Sequence, residues 1–158
     1  MKKSSILLVD DHERWLRFVR STLENKPELH VVGEVSDGLV AIRSAAQLQP
    51  DLILLDIGLP GLNGIMVARQ ILTVSTRSKI VFLTQESSPD VVQAALDTGA
   101  HGYVVKVDAG ADLLKAVSAV REGNRFLSAS VPARDLFEAG NRHAGIPPAP
   151  RNAGRRSG

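Results

Sequence analysis

The chain has 158 residues, no cysteine and a hydrophobic share of 44%, which excludes a disulfide scaffold, a thiolate metal site and a disordered polar chain. Its formal charge of +2 is uneven, because residues 1–131 carry 14 Lys+Arg against 15 Asp+Glu, and residues 132–158 carry five Arg against two acids. The basic character therefore lies in the last part of the chain, and the nearly neutral remainder gives no reason to expect nucleic-acid binding.

Short apolar runs alternate with helix-like segments along most of the chain. The runs have the length and composition of buried strands and lie at residues 6–9, 31–35, 52–55, 79–83 and 102–105. The segments that follow them place apolar residues at the three- and four-residue spacing of a helix. This order predicts an α/β fold of the (βα)₅ type, which is a doubly wound, flavodoxin-like domain with a five-stranded parallel sheet.

Signals for helix ends support these boundaries. Pro27 and Pro50 follow the first two helices, and Gly99 follows the fourth. Asp37 and Asp108 stand directly before two predicted helices, where their carboxylates are expected to cap the first turn.

One folded domain is expected at residues 1–127. Residues 128–158 are expected to form a linker remnant and a disordered tail that is basic and rich in Pro and Gly. The first apolar run ends after four residues, which is too short for an export signal, and no stretch approaches the roughly 18 apolar residues of a membrane span. Together with the absence of cysteine, this predicts a cytoplasmic protein without a membrane partner.

Polar residues follow the predicted strands at the point where each strand ends. Asp10 and Asp11 follow the first strand, Asp56 the third, Thr84 the fourth and Lys106 the fifth. Because open parallel sheets bind ligands beyond the carboxyl ends of their strands, these side chains should converge in one pocket. Adjacent carboxylates repel one another, a cost that a divalent cation offsets, and oxygen ligands suit Mg²⁺. A carboxylate so placed can attack phosphorus and form an acyl phosphate.

The sequence around these positions resembles the receiver domain of two-component response regulators. The matching segments are residues 7–12, 55–64, 83–84 and 103–106. The resemblance covers about residues 4–127 and is closest to the receivers that usually precede a LuxR/NarL-type helix-turn-helix.

The resemblance implies a Mg²⁺-dependent phosphorylation site. Asp56 is then the phosphoacceptor and a metal ligand, Asp11 is a direct ligand, Asp10 is a supporting acid, and Gly58 offers its backbone carbonyl to the metal. The phosphoryl donor would be a sensor histidine kinase or a phosphotransfer protein. The chain would catalyse only its own phosphorylation and dephosphorylation, and would not be an enzyme in the usual sense.

The same resemblance implies a conformational switch. Thr84 and Lys106 are expected to hold the phosphoryl oxygens, and Tyr103 is the aromatic residue whose rotamer follows Thr84. Gln85 occupies a position where the family usually has a small residue. Glu86 occupies the next position, whose residue in the family influences the rate at which the aspartyl phosphate is hydrolysed. We therefore expect an altered lifetime of the phosphoryl group.

Other protein classes fit the sequence less well. A haloacid-dehalogenase-type phosphatase would carry Asp-x-Asp on its nucleophile strand, whereas this chain has Asp56-Ile57-Gly58. A dinucleotide-binding module would need Gly-x-Gly-x-x-Gly after the first strand. His12 begins the first helix, and no partner residue in the sequence favours acid–base or phosphohistidine chemistry there.

Two alternatives stay open within the receiver interpretation. A pseudo-receiver would bind partners without phosphorylation if Gln85 blocked the site. The other alternative is a DNA-binding regulator that lacks its helix-turn-helix through truncation, since the 27 residues after Val131 are too few for that domain. We expect DNA as a partner only if such an output domain exists, and a homodimer is compatible with either alternative.

Overall fold

The structure is a computed structural model that describes residues 3–131. The expected tail from residue 132 onward lies outside these residues. No helix in the described part of the chain is long and apolar enough to cross a membrane. The elements are β1 (Ser4–Val9), α1 (Glu13–Glu24), β2 (Leu29–Val35), α2 (Gly38–Leu48), β3 (Leu52–Leu55), α3 (Gly64–Val74), β4 (Lys79–Thr84), α4 (Pro89–Leu96), β5 (Gly102–Val105), a 3₁₀ turn (Lys106–Asp108), α5 (Ala109–Arg121) and β6 (Phe126–Leu127).

The strands form one parallel sheet in the order β2-β1-β3-β4-β5-β6. The doubly wound α/β prediction is confirmed, but the predicted count of five strands is wrong. The sixth strand pairs Phe126 with Gly102 and Leu127 with Tyr103. A two-residue strand is too short to show a periodic pattern in the sequence. It is recognised only in the structure, by its pairing with β5.

Helices cover both faces of the sheet. One hydrophobic cluster joins the sheet to α2, α3 and α4, and a second joins it to α1 and α5. Alternate strand residues enter the two clusters: Leu7 and Val9 pack into the first, while Ile6 and Leu8 pack into the second. Burial on both faces explains why the strands are continuous apolar runs instead of alternating patterns.

The two predicted helix caps differ in outcome. Asp37 caps α2, where its carboxylate accepts hydrogen bonds from the backbone N–H groups of Leu39 and Val40. The predicted cap at Asp108 is wrong: this residue precedes α5, but its carboxylate makes no capping bond. It accepts hydrogen bonds from Ser128 and Ser130 instead. Donors from a distant segment have displaced the local interaction that the sequence favoured.

Packing in the described chain continues beyond β6. Val131 is 2% exposed and belongs to the first hydrophobic cluster, and Ser128 is fully buried. The backbone N–H of Ser128 donates to the carbonyl of Tyr103 at 2.9 Å. The segment after β6 is therefore part of the folded core, and the domain boundary expected at residue 127 stays a prediction.

Candidate functional site

The register of β1 and β3 places two carboxylates side by side. Val9 pairs with Leu55, so Asp10 and Asp56 leave the sheet at the same level, and the N–H of Asp56 still donates to the carbonyl of Val9 at 3.0 Å. Asp10 and Asp56 are only 3% and 4% exposed. Strand order reverses between β1 and β3, so both acids lie in the crevice where ligands of such sheets bind.

Glycines shape the loop that follows Asp56. A Cβ atom on Gly64 would lie 2.2 Å from the carbonyl oxygen of Asp56, so only glycine lets α3 begin so close to the site. Gly61 has a φ of 77°, which favours glycine as well. The N–H of Gly58 donates to Oδ1 of Asp56 at 3.3 Å. The loop therefore runs close to the carboxylate and leaves its other oxygen accessible to further partners.

The Lys106 ammonium lies between these two carboxylates. Its Nζ atom is 2.7 Å from Oδ2 of Asp10 and 3.6 Å from Oδ2 of Asp56, and its side chain is 9% exposed. The same Nζ is 5.1 Å from the ring centroid of Trp15 on α1, a cation–π contact. The sequence analysis did not single out Trp15. Its place in the first turn of α1, which begins directly after Asp11 and His12, was the available signal.

A group of potential metal ligands surrounds this crevice. Asp10, Asp11, His12 and Asp56 each offer a ligand atom, and these atoms lie within 4.8 Å of one another. Three carboxylates against one ammonium leave two formal negative charges, which is the charge that a divalent cation would balance. Carboxylate oxygens are ligands that Mg²⁺ prefers. The donor set present in this crevice therefore fits Mg²⁺.

His12 is a site residue that the sequence interpretation set aside. Its Nδ1 atom is 2.9 Å from Oδ1 of Asp10 and 3.3 Å from Oδ1 of Asp11. Its backbone N–H also donates to Oδ1 of Asp10 at 2.9 Å. The signal for this contact was its direct adjacency to the two acids.

Thr84 and Tyr103 meet in the loop after β4. Oγ1 of Thr84 accepts a hydrogen bond from the N–H of Glu86 at 3.4 Å, and the hydroxyl of Tyr103 donates to the carbonyl of Glu86 at 2.8 Å. Tyr103 is fully buried, so its side chain points inward in this structure. Burial, with the negative charges of Glu86 and Asp56, raises the pKa of the Tyr103 phenol well above its ordinary value. Tyr103 is therefore a neutral donor that ties β5 to this loop.

An open cavity lies beside Lys106. It is lined by Gln85, Ser87, Val105, Lys106, Val107 and Ser130. Gln85 is exposed to solvent and is one of the residues that line this cavity.

A second carboxylate cluster, consisting of Asp108 and Asp112, lies at the start of α5. The Ser128 hydroxyl is 2.5 Å from Oδ2 of Asp108 and 3.2 Å from Oδ2 of Asp112. The hydroxyl and the N–H of Ser130 also donate to Asp108. These bonds lower the pKa of Asp108 below its ordinary value. No local sequence signal indicates this cluster, because its donors lie about twenty residues along the chain.

Comparison with known proteins identifies the fold family. The family described as the response regulator receiver domain matches residues 6–118. The chain belongs to this family. Receivers act in two-component signal transduction, and Mg²⁺ binding at an acidic cluster and an aspartyl phosphate are general features of them.

Individual relatives of this receiver support the predicted subfamily. The chain is 34% identical over 140 residues to the transcriptional regulatory protein LiaR of Bacillus subtilis (strain 168), covering 89% of this chain and 65% of LiaR. It is 38% identical over 125 residues to the nitrate/nitrite response regulator protein NarL of Escherichia coli (strain K12), covering 79% of this chain and 58% of NarL. The chain thus spans less than two thirds of the length of these relatives.

A solved receiver structure superposes on this chain along almost the whole length of the solved domain. The isolated REC domain of RcsB from Salmonella enterica serovar Typhimurium, in the presence of phosphomimetic BeF3−, superposes with a TM-score of 0.78 at 30% identity. The match covers 82% of this chain and 96% of the RcsB domain. The predicted family, fold class and kinship with LuxR/NarL-type regulators are therefore confirmed.

Proposed function

We propose that Asp56 accepts a phosphoryl group from a sensor histidine kinase or a phosphotransfer protein in a Mg²⁺-dependent reaction. The observation that carries this proposal is the position of the Lys106 ammonium, 2.7 Å from Asp10 and 3.6 Å from Asp56. A carboxylate attacks phosphorus only when the charge of the transferring group is neutralised from several sides. The described site offers a cation and a group of candidate metal ligands close to Asp56.

The residues divide the work of the transfer. An oxygen of Asp56 forms a bond to phosphorus while the bond between phosphorus and the donor breaks. Asp11 and Asp56 would hold the metal together with the backbone carbonyl of Gly58, and Asp10 would support them as a further acid. When bound, Mg²⁺ supplies positive charge to the phosphoryl oxygens. Lys106 would contribute a second positive charge close to Asp56.

Thr84 links phosphorylation to a change of shape. Its Oγ1 accepts from Glu86, so its own hydroxyl proton is available to donate to a phosphoryl oxygen. A Thr84 side chain that turns toward phosphorylated Asp56 loses its contact with the N–H of Glu86. The loop then changes, and Tyr103 changes with it, because its hydroxyl is bound to the same residue. The altered surface of α4, β5 and α5 is read by the partner, including a second copy in a homodimer.

The position of Gln85 favours phosphorylation over the pseudo-receiver alternative. A blocked site would need this side chain to be packed against Lys106, whereas Gln85 is exposed and lines a cavity that is open to solvent. DNA binding is proposed only for a further domain, since the relatives that carry the name of transcriptional regulator are longer than this chain.

The direct test is formation of an acyl phosphate on Asp56. The full chain is incubated with Mg²⁺ and acetyl phosphate, and the phosphorylated residue is located by mass spectrometry. We expect a labile phosphoryl group on Asp56 that is absent without Mg²⁺ and absent in Asp56→Ala. Asp90→Asn, which changes an exposed acid on α4, is the matched control and should label normally. No labelling of the wild type, or labelling that persists in Asp56→Ala, contradicts the proposal.

Gln85 should set the lifetime of the phosphoryl group. Replacement by alanine widens the cavity beside Lys106 and admits water, so Gln85→Ala is expected to shorten the half-life several-fold. Autodephosphorylation of the purified phosphoprotein measures this directly. Gln70→Ala, at an exposed position on α3, is the control. Equal half-lives for wild type and Gln85→Ala would remove Gln85 from this role.

A further inference from the structure

We propose that His12 is a ligand of the divalent cation in this site, so that the site binds transition cations such as Ni²⁺ and Mn²⁺ through one imidazole nitrogen and its carboxylate oxygens. The inference rests on the proposed metal site and names a residue and a metal preference beyond it. A receiver site built only from oxygen ligands would have no such nitrogen.

The distances around His12 match those within one coordination sphere. Octahedral ligands at 2.0–2.1 Å from a metal are about 3.0 Å from their neighbours and about 4.2 Å from the ligand opposite. Nδ1 of His12 lies 2.9 Å from Oδ1 of Asp10 and 3.3 Å from Oδ1 of Asp11. All four candidate residues, Asp56 included, offer atoms within 4.8 Å of one another. These ligand atoms therefore need only small shifts to surround one cation.

The backbone holds His12 in this position. Its N–H donates to Asp10, and its carbonyl accepts from the N–H of Leu16 in the first turn of α1. The His12 side chain is 57% exposed, and its Nδ1 faces the carboxylates of Asp10 and Asp11. A metal that binds Nδ1 replaces any hydrogen-bonded proton there, and the ring N–H is then on Nε2.

A hydrogen-bonding role for the same imidazole predicts different metal behaviour. If His12 only donated to Asp10 and Asp11, its removal would change the affinity for every divalent cation in a similar way. If it is a ligand, the effect depends on the metal, because imidazole suits Ni²⁺ far better than it suits Mg²⁺. Metal preference therefore separates the two roles.

Trp15 offers a local reporter for a metal titration of the full chain. It is the only tryptophan in the sequence, and its ring lies 5.1 Å from the Lys106 ammonium. We expect His12→Asn, which keeps a hydrogen-bonding side chain, to lower the Ni²⁺ affinity by about tenfold or more and the Mg²⁺ affinity by less than about twofold. His30→Asn changes an exposed histidine on β2 and should leave both affinities unchanged. Equal losses for the two cations, or no loss for either, would overturn the proposal.

Pulsed electron paramagnetic resonance of the Mn²⁺-loaded protein gives a readout that affinity alone does not. We expect a ¹⁴N coupling from a directly bound imidazole in the wild type and in His30→Asn, and its absence in His12→Asn. A wild-type spectrum without ¹⁴N coupling overturns the assignment. No phosphodonor is present in either experiment, so their failure is distinct from a failure of Asp56 to be phosphorylated.

Discussion

Two groups of carboxylates in this domain are stabilised in different ways. In the receiver crevice, Asp10 and Asp56 share the ammonium of Lys106. In the second carboxylate cluster, Asp108 and Asp112 are satisfied by hydroxyl and backbone N–H donors. The carboxylates of the crevice keep two formal negative charges beyond the one that the ammonium balances, which suits a divalent cation. The second cluster is closed by internal hydrogen bonds and binds a segment of its own chain.

One short turn connects the two groups. Lys106 begins the 3₁₀ turn after β5, and Asp108 ends it. Ser128 is bound to this turn through Asp108, and to β5 through the carbonyl of Tyr103. In the proposed function, a movement of Lys106 toward phosphorylated Asp56 would therefore reach the segment that follows β6 through this turn. The crevice thus carries the proposed chemistry, whereas the second cluster holds residues 128–130 against the start of α5.

The largest effect is expected from removing the cation of the crevice. Lys106→Met keeps the length and apolar contact of the side chain but leaves two buried carboxylates without their partner. Loss of one member of a buried charge pair costs about 3 kcal/mol. Urea unfolding in the absence of divalent cations should show this decrease in the free energy of unfolding.

The control for this variant is Lys115→Met, which removes an exposed ammonium from α5. Its free energy of unfolding should stay close to that of the wild type. Added Mg²⁺ should stabilise Lys106→Met more than it stabilises the wild type, because the variant has one more uncompensated negative charge. Equal stabilities of Lys106→Met and Lys115→Met would contradict the assigned role of the ammonium.

A smaller loss is expected when the second cluster loses its shared donor. Ser128→Ala removes a buried hydroxyl that lies between Asp108 and Asp112. Leaving a buried acceptor without its donor costs about 2 kcal/mol. Ser130→Ala is the matched comparison, since it also removes a hydroxyl from Asp108 but at an exposed position, and it should cost less than about 1 kcal/mol. Thermal or urea unfolding of both variants tests the order, and a larger loss in Ser130→Ala would reverse it.

The sequence predicted the crevice better than the second cluster, for a physical reason. Asp10, Asp56 and Lys106 follow parallel strands directly, so the strand order alone brings them together. To predict that Trp15 and His12 lie at this site, the position of α1 relative to the strands is needed as well. Asp108 could not be predicted, because its local preference for capping a helix is overridden by hydroxyls that arrive with β6.

The smallest predicted effect concerns the pH dependence of the second cluster. Hydrogen bonds from Ser128 and Ser130 lower the pKa of Asp108 from its ordinary value of 3.8. Below that pH the unfolded chain binds a proton that the folded Asp108 still excludes. The stability that Asp108 contributes is thus present above pH 3.8 and is lost as the pH falls through the lowered pKa. An NMR titration of the Asp108 carboxyl carbon should show a midpoint below 3.8, and Ser128→Ala should move it upward. A wild-type midpoint at or above 3.8 would mean that these hydroxyls do not favour the charged carboxylate. Hydrogen bonds would then not be what stabilises the second cluster.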